Sequence, residues 1–243
     1  MNTTNYRTYI FLILCSLLLV SCLEKRNQCD KHPNPFGLQI TYCIENYVRS
    51  VDANPDMELL NLENIIPDII LDIRYATPDN FTGEIIYTEP EAWLRRPAAL
   101  ALVRLQDSLK HHGLGLKIWD AYRPYSASVK FFDIYPDTNF VANPRFGSRH
   151  NRGCAVDLTL IELETKEEIL MPSKFDEFTE RAHPEYNDLP KSIIENREFL
   201  FSVMQYFGFT HYPTEWWHFD FNGWENYPLM DLSFEMLSEI KDK

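Results

Sequence analysis

Two short segments of the chain contain residues whose types and spacing could bind a metal ion and activate water. Residues 148–157 read S-R-H-N-R-G-C-A-V-D and contain His150 and Asp157, and residues 215–218 read E-W-W-H. Histidine nitrogens and a carboxylate oxygen are good zinc ligands, and three protein ligands leave the fourth tetrahedral position open for water. A nearby glutamate can accept a proton from that water and transfer it to a departing amine. The combination therefore points to metal-assisted hydrolysis.

Each of these residues also has an explanation that involves no catalysis. Asp157 can hydrogen-bond to a neighbour such as Thr159, and His218, between two aromatic residues, can be a packed structural histidine. The metal site is favoured because His, Asp, Glu and His occur together, with small residues where a substrate would approach. Cys154 lies three positions before Asp157 on an alternating segment, so we expect it to pack on the opposite face of the strand.

The sequence predicts three strands that would position these residues. Residues 116–120 and 155–160 alternate between apolar and other side chains, and residues 215–221 are rich in aromatic side chains. In a regular strand, residues three apart point to opposite faces. Glu215 and His218 can therefore serve one site only if this strand bends or bulges.

Two helices are predicted around the same segments. Residues 97–112 place Leu100, Val103 and Leu109 on one apolar face, and residues 192–207 form the second helix. A glycine follows each segment, which is typical of a helix end. Helices and strands are mixed without a regular strand–helix alternation. This order predicts an α+β single domain with a central, mainly antiparallel sheet flanked by helices.

The N-terminal segment predicts export and a lipid anchor. Residues 10–20 are almost wholly apolar but far shorter than the roughly 20 residues that span a bilayer, which is typical of a signal-peptide core. Residues 19–22, L-V-S-C, resemble the bacterial lipobox, in which the cysteine is lipidated and becomes the first mature residue. An ordinary cleaved signal with a coincidental cysteine is the alternative. We expect a signal peptide over residues 1–21, lipidation of Cys22, and an exported protein at the bacterial cell envelope, facing the periplasm or in the outer membrane.

The net charge and the length of the chain limit which partners and which domain organisation are expected. The net charge is −13, and removal of residues 1–21, whose single charged residue is an arginine, makes it −14. Such an acidic chain argues against nucleic acid as a partner and implies little about a small zwitterionic substrate or about protein partners. We expect residues 22–60 to form a lipidated tether and lead-in, and residues 61–243 to form one catalytic domain. An oxidising compartment permits a disulfide between Cys29 and Cys43, although their spacing does not fix the pairing.

These residues, together with further motifs, resemble a known family. The pattern S-x-H-x-x-G-x-A-x-D followed by E-x-W-H is similar to the zinc D,D-peptidases that share a fold with the Hedgehog N-terminal domain. Residues 75–83 (Y-A-T-P-D-N-F-T-G), residues 120–124 (D-A-Y-R-P) and the doubled tryptophan before His218 resemble, within that group, the VanX-type D-alanyl-D-alanine dipeptidases. The resemblance extends from about Leu71 to about Trp224, most of the mature chain.

The resemblance implies catalytic roles for particular residues. It assigns Glu215 as general base and then general acid, and Arg123 as the cation that stabilises the tetrahedral intermediate. A structural salt bridge with Asp120 is the alternative for Arg123. It assigns one zinc ion per chain to three ligands: His150, Asp157 and His218.

The resemblance also implies substrate-binding residues. Asp176 matches the acid that pairs with the substrate ammonium, and Tyr75 and Ser148 match positions near the same substrate. Arg149 stands where the family has a small polar residue that can contact the substrate carboxylate. It either takes that role through its charge or points to solvent.

The implied activity is hydrolysis of the D-alanyl-D-alanine dipeptide to two D-alanine molecules. One alternative is a D,D-carboxypeptidase acting on peptidoglycan stem peptides, which would need a cleft open at one end. Another is a non-catalytic cell-envelope binding lipoprotein with a vestigial metal site. Glu215 argues against the last alternative, because a structural zinc needs no unliganded base nearby. The expected partners are a small dipeptide and, through the lipid anchor, a membrane, with no nucleic acid.

Overall fold

A computed structural model describes residues 34–241 of the chain. Within these residues, one unit ends at Leu38 and a second, compact unit begins at Gln39. Residues 34–38 are the described part of the first unit and contain a turn. The predicted signal peptide and the predicted lipidation of Cys22 lie outside the described residues and stay predictions.

Within the described residues, the second unit contains nine strands and six α-helices. The strands are β1 (Ile40–Thr41), β2 (Leu59–Asn61), β3 (Ile70–Leu71), β4 (Trp93–Arg95), β5 (Leu114–Asp120), β6 (Ala155–Glu162), β7 (Phe209–Tyr212), β8 (Glu215–Phe221) and β9 (Leu229–Met230). The helices are α1 (Ile44–Ala53), α2 (Leu62–Ile65), α3 (Arg96–Lys110), α4 (Tyr125–Ile134), α5 (Lys191–Tyr206) and α6 (Phe234–Lys241). None of these helices is both long and apolar enough to cross a membrane.

Five strands form the central sheet, in the order β3-β5-β6-β8-β7. The β3–β5 pair is parallel, and the other three pairs are antiparallel. Two small sheets accompany it, an antiparallel β2–β4 pair and a parallel β1–β9 pair. The predicted fold class, α+β with a mainly antiparallel sheet, is confirmed. The three predicted strands correspond to β5, β6 and β8, and the two predicted helices correspond to α3 and α5.

The pairing of β7 with β8 contains a large irregularity. His211 pairs with Phe219, and the next residue of β7, Tyr212, pairs with Glu215. Three residues of β8 therefore lie between the partners of two consecutive β7 residues. Extra residues bend a strand and change the directions of its side chains. The bulge that the sequence required between Glu215 and His218 is therefore present.

The core is formed on both sides of β6, whose residues from Ala155 to Ile161 are buried. Helix α3 contributes seven buried residues: Ala98, Ala99, Ala101, Leu102, Leu105, Gln106 and Leu109. The predicted apolar face is only partly correct: Leu109 is buried and Val103 packs against the core, but Leu100 is 40% exposed. Alanines near the start of the helix form part of the buried face. Alanine side chains are only weakly hydrophobic. A buried face assigned from the larger apolar residues alone is therefore rotated away from the alanines.

Residues 39–60, which the sequence analysis placed in a lead-in, belong to the second compact unit. Tyr47 of α1 is buried, and its hydroxyl accepts a hydrogen bond from the backbone N–H of Leu59 at 2.7 Å. Cys43 is disulfide-bonded, and Cys29, its predicted partner, lies outside the described residues. The compact unit thus begins before the predicted boundary at residue 60. Strands β1 and β2 are only two and three residues long, but Ile44, Tyr47, Val48 and Val51 of α1 have helical spacing, a signal that the sequence analysis missed.

Gly153 is required by the packing just before β6. Its φ is +70°, a conformation that favours glycine, and a methyl group on its Cα would lie 2.5 Å from Leu59 Cδ2. We expect Gly153→Ala to lower the free energy of unfolding by about 2–5 kcal/mol, because left-handed strain and overpacking add together. Urea denaturation followed by circular dichroism measures this change.

Gly113 provides a matched control. It has the same φ of +70°, but the space around its Cα is open. We expect Gly113→Ala to cost only the backbone strain, about 1–2 kcal/mol. Equal losses in the two variants would contradict the packing explanation for Gly153.

Candidate active site

The three predicted metal ligands converge at one point of the central sheet. Asp157 on β6 lies directly opposite His218 on β8, and His150 lies in a short 3₁₀ turn just before β6. His218 Nδ1 is 3.1 Å from both Asp157 Oδ1 and His150 Nε2. His150 Nε2 is 3.4 Å from Asp157 Oδ1. All three residues are buried.

The donor set and its spacing fit a zinc ion. Tetrahedral zinc with ligand distances of about 2.0–2.1 Å separates its ligand atoms by about 3.3 Å, close to the separations of these three atoms. The far nitrogen of each ring faces an acceptor: His150 Nδ1 is 2.6 Å from the carbonyl oxygen of Ala121, and His218 Nε2 is 3.0 Å from Asp220 Oδ1. In neutral rings, those far nitrogens carry the protons, so the near nitrogens direct lone pairs toward Asp157. The buried Asp157 Oδ1 has no hydrogen-bond partner of its own.

The same point in the site stabilises positive charge. Burial opposes protonation of His218, but the carboxylates of Asp220 and Asp157 outweigh it and raise the pKa of His218 well above its usual value. Burial likewise opposes ionisation of Asp157, but His150 and His218 hold the pKa of its carboxyl well below its usual value. A metal ion binding there would therefore compete with a proton.

Glu215 lies beside the three donors without being one of them. The bulge in β8 brings its Oε2 atom to 3.7 Å from His218 Nδ1. Burial raises the pKa of Glu215 to about 7, with His218 opposing the rise and Asp157 adding to it. A general base works best when its pKa lies near the working pH, and a bound cation would lower this value.

Arg123 is fixed on the wall of the same site. Its Nε and Nη2 atoms both donate to Asp120 Oδ2, at 3.0 and 2.6 Å. Its guanidinium lies 5.4 Å from the ring centroid of Tyr75 and 4.7 Å from that of Phe131. An extra residue on β5, Trp119, shifts the register just before Asp120. The salt bridge considered as the alternative for Arg123 is thus present, and it positions the guanidinium rather than removing it from the site.

Asp176 lies on another side of the site and contacts Tyr75. The Tyr75 hydroxyl donates a hydrogen bond to Asp176 Oδ2 at 3.0 Å. Asp176 has a φ of 55°, which is uncommon for a residue other than glycine. Burial, followed by the negative charge of Asp157, raises the pKa of Asp176 well above its usual value. A cationic group would relieve this repulsion.

Ser148 and Arg149 immediately precede His150. Ser148 Oγ accepts a hydrogen bond from the backbone N–H of His150 at 3.2 Å, so Ser148 supports the turn that carries this ligand. Arg149 Nε lies 3.5 Å from Asp220 Oδ2, and its guanidinium lies 4.8 Å from the ring centroid of Trp224. The Arg149 side chain is 34% exposed, so it is neither fully buried nor free in solvent.

A single cavity brings together every site residue that the sequence predicted within the described part of the chain. Its lining includes Tyr75, Arg123, Ser148, Arg149, His150, Asp157, Asp176, Glu215 and His218. Trp217 also lines the cavity, whereas Trp216 does not. The Trp216 indole N–H donates to Ser173 Oγ at 3.0 Å, because neighbouring strand residues point to opposite faces.

Sequence reasoning missed groups that hold the site together. Asp220 had a detectable signal, because it follows His218 by two residues and so shares its face of β8. Phe140 and Phe178 also line the cavity, and their rings stack with centroids 4.8 Å apart. They lie on loops that are distant in sequence, and no pattern in the sequence links them.

Comparison with known proteins identifies the family. The family model described as peptidase M15, D-ala-D-ala dipeptidase, matches residues 55–235, most of the chain. The chain belongs to this family. The D-alanyl-D-alanine dipeptidase of Escherichia coli (strain K12) is 37% identical over 177 residues, which cover 73% of this chain and 91% of that protein. The D-alanyl-D-alanine dipeptidase of Enterococcus faecium is 33% identical over 178 residues, which cover 65% of this chain and 88% of that protein.

The predicted family is confirmed by these matches, and with it the enzyme class, a zinc metallopeptidase. A solved structure of VanYB in complex with D-alanine-D-alanine is also similar, with 17% identity and a TM-score of 0.37 over 56% of this chain and 75% of that chain. The individual roles of the site residues stay predictions.

Cys154 lies close to the site but is not among the cavity-lining residues. Its side chain is fully buried, and its thiol lies 3.6 Å from the carbonyl oxygen of Arg152. Burial raises the pKa of the Cys154 thiol to about 12. The thiolate is the reactive form, so this thiol should be chemically inert at neutral pH.

We expect Cys154 in the folded protein to react with iodoacetamide at pH 8 at least about 10³-fold more slowly than a free thiol, because the raised pKa suppresses the thiolate. Peptide mapping of alkylated protein measures the rate at this residue. Rapid alkylation in urea provides the control, since unfolding exposes the same thiol. Rapid alkylation of the folded protein would contradict a packing role.

Proposed function

We propose that this chain is a zinc D,D-dipeptidase that hydrolyses D-alanyl-D-alanine to two molecules of D-alanine. The convergence of lone pairs from His150, Asp157 and His218 beside the unliganded Glu215 carries the proposal. The relatives named for this activity support the substrate class. We further propose one zinc ion per chain, held by these three ligands.

Each catalytic group has a task that follows from its position. Zinc, when bound, supplies Lewis acidity toward a peptide carbonyl and a water molecule. Glu215 accepts a proton from the attacking water and gives it to the nitrogen of the scissile bond, so that the C–N bond breaks and the amine leaves. Arg123 donates hydrogen bonds to the carbonyl oxygen as negative charge develops on it, and its fixed position reduces the reorganisation required.

The substrate is a zwitterion, and the cavity offers a group for each of its ends. Asp176, with Tyr75 beside it, pairs with the ammonium. Ser148 lines the same cavity, and its hydroxyl can donate a hydrogen bond to the carboxylate. A longer peptide has a neutral amide where the dipeptide has its ammonium. It would leave Asp176 without a cationic partner, which disfavours stem peptides.

Glu215→Gln tests the mechanism. We expect zinc-loaded protein lacking residues 1–22 to release D-alanine from D-alanyl-D-alanine. The variant should lower kcat by about 10²–10⁴-fold, because glutamine cannot accept the proton. Zinc binding should persist, since Glu215 is not a ligand. Chromatography of released D-alanine and metal analysis measure the two quantities.

A muramyl pentapeptide and the variant Glu225→Gln, which changes an exposed acid, serve as comparisons. Release of D-alanine from the pentapeptide alone would replace the dipeptidase with a D,D-carboxypeptidase. No turnover of either substrate by zinc-loaded protein would favour an envelope-binding protein. Full activity in Glu215→Gln would refute the assigned base.

We also propose that the protein is exported, lipidated on Cys22 and held at the bacterial cell envelope, where it acts on a peptidoglycan-derived dipeptide. The apolar residues 10–20 followed by L-V-S-C support this location. Acyl chains supply membrane affinity that an acidic chain does not otherwise have.

We expect Cys22→Ala to abolish incorporation of labelled palmitate in cells, because the acceptor thiol is removed. Cys15→Ala changes a cysteine inside the apolar segment and is the matched control, so its labelling should persist. Palmitate labelling followed by immunoprecipitation measures both variants. Undiminished labelling of Cys22→Ala would place the modification elsewhere or refute it.

A further inference from the structure

Asp220 is a buried acid next to the site to which the proposed reaction gives no task. It is 9% exposed, and its Oδ1 atom lies 3.0 Å from His218 Nε2. Both residues lie on β8, two positions apart, so the strand itself brings the carboxylate to the far side of the imidazole ring. Asp220 is not a member of the three-donor cluster.

The other side of Asp220 is held by Arg149. Arg149 Nε lies 3.5 Å from Asp220 Oδ2. The Arg149 guanidinium also contacts two rings, with its carbon 5.3 Å from the centroid of Tyr212 and 4.8 Å from that of Trp224. This contact compensates the charge of Asp220 and restricts where its carboxylate can point.

We propose that Asp220 is a positioning residue for zinc. It accepts the Nε2–H of His218, fixes the ring orientation and leaves the Nδ1 lone pair directed at the metal position. Arg149 acts through Asp220 by holding that carboxylate. The inference rests on the proposed function, because it assumes that His218 is a zinc ligand.

The two histidine ligands differ in what orients them. His150 is oriented by a backbone carbonyl, that of Ala121, at 2.6 Å. His218 is oriented by a charged side chain, which makes its imidazole a more basic ligand than a neutral acceptor would. The contribution of Asp220 can therefore be removed by substitution, and the contribution of the Ala121 carbonyl cannot.

Zinc affinity of the full chain, measured by competition with a chromophoric chelator, tests the proposal without reference to catalysis. We expect Asp220→Leu to weaken zinc binding by about 10–100-fold, the range found when such partners of metal-bound histidines are lost. Asp220→Asn has the same size and retains an acceptor oxygen, so its loss should be smaller. Circular dichroism and melting of the zinc-free proteins establish that both variants are folded.

Glu225→Gln is the matched control for charge, because it removes one negative charge from an exposed residue near Arg152 without touching His218. Its zinc affinity should equal that of the parent chain. A folded Asp220→Leu variant that binds zinc within about threefold of the parent would overturn the proposal. A parent chain that binds zinc but leaves D-alanyl-D-alanine intact would instead overturn the proposed function, so the two failures are distinguishable.

Arg149→Met separates the role of Arg149 through Asp220 from a role on the substrate. Action through Asp220 predicts weaker zinc binding in Arg149→Met and no further loss when it is combined with Asp220→Leu. A raised KM with unchanged zinc affinity would assign Arg149 to the substrate carboxylate. That result would overturn the Arg149 part of the proposal.

Discussion

The pairing of Asp157 with His218 across β6 and β8 is the constraint on which the rest of the site depends. Residues directly opposite each other in an antiparallel pair have Cβ atoms about 4.5–5.5 Å apart, so the distance between these two ligands is set by the sheet rather than by a loop. His150 then needs only one short turn before β6 to reach the same point. Three buried donors with converging lone pairs are costly unless a cation or a proton lies between them. The sheet therefore holds three donor atoms close together in an arrangement that a bound cation or proton stabilises.

The bulge in β8 allows one strand to supply both a proposed metal ligand, His218, and the proposed base, Glu215. In a regular strand, Glu215 would point away from His218, into the opposite face of the sheet. The extra residues rotate it back to 3.7 Å from the His218 ring. Trp216 and Trp217 lie within the bulge, and each is 1% exposed. Their burial on opposite sides of the strand fixes the bulge as part of the core.

The sequence was informative where function depends on neighbours along the chain. Alternation in β6 placed Asp157, and the three-residue spacing of Glu215 and His218 required the bulge that β8 contains. It was less informative where function depends on contacts between distant segments. The Phe140–Phe178 stack joins loops whose proximity only the fold determines. Tyr75 and Asp176 were placed near one substrate by the family resemblance, and no local pattern in the sequence predicts the hydrogen bond between them. The buried face of α3 was misplaced because alanines form much of it.

The end of β5 and the segment that follows it, residues 120–123, contact both His150 and the Arg123 guanidinium. The carbonyl oxygen of Ala121 orients the His150 ring at 2.6 Å, and the backbone N–H of Arg123 donates to the His150 carbonyl oxygen at 3.1 Å. Asp120 holds the Arg123 guanidinium and accepts hydrogen bonds from the Ala121 N–H and the Tyr87 hydroxyl, both at 2.9 Å. The proposed metal ligand His150 and the cation proposed to face the reacting carbonyl, Arg123, are thus positioned by the same few residues. They cannot move independently, so a substrate carbonyl placed between them meets partners that are already oriented before negative charge develops.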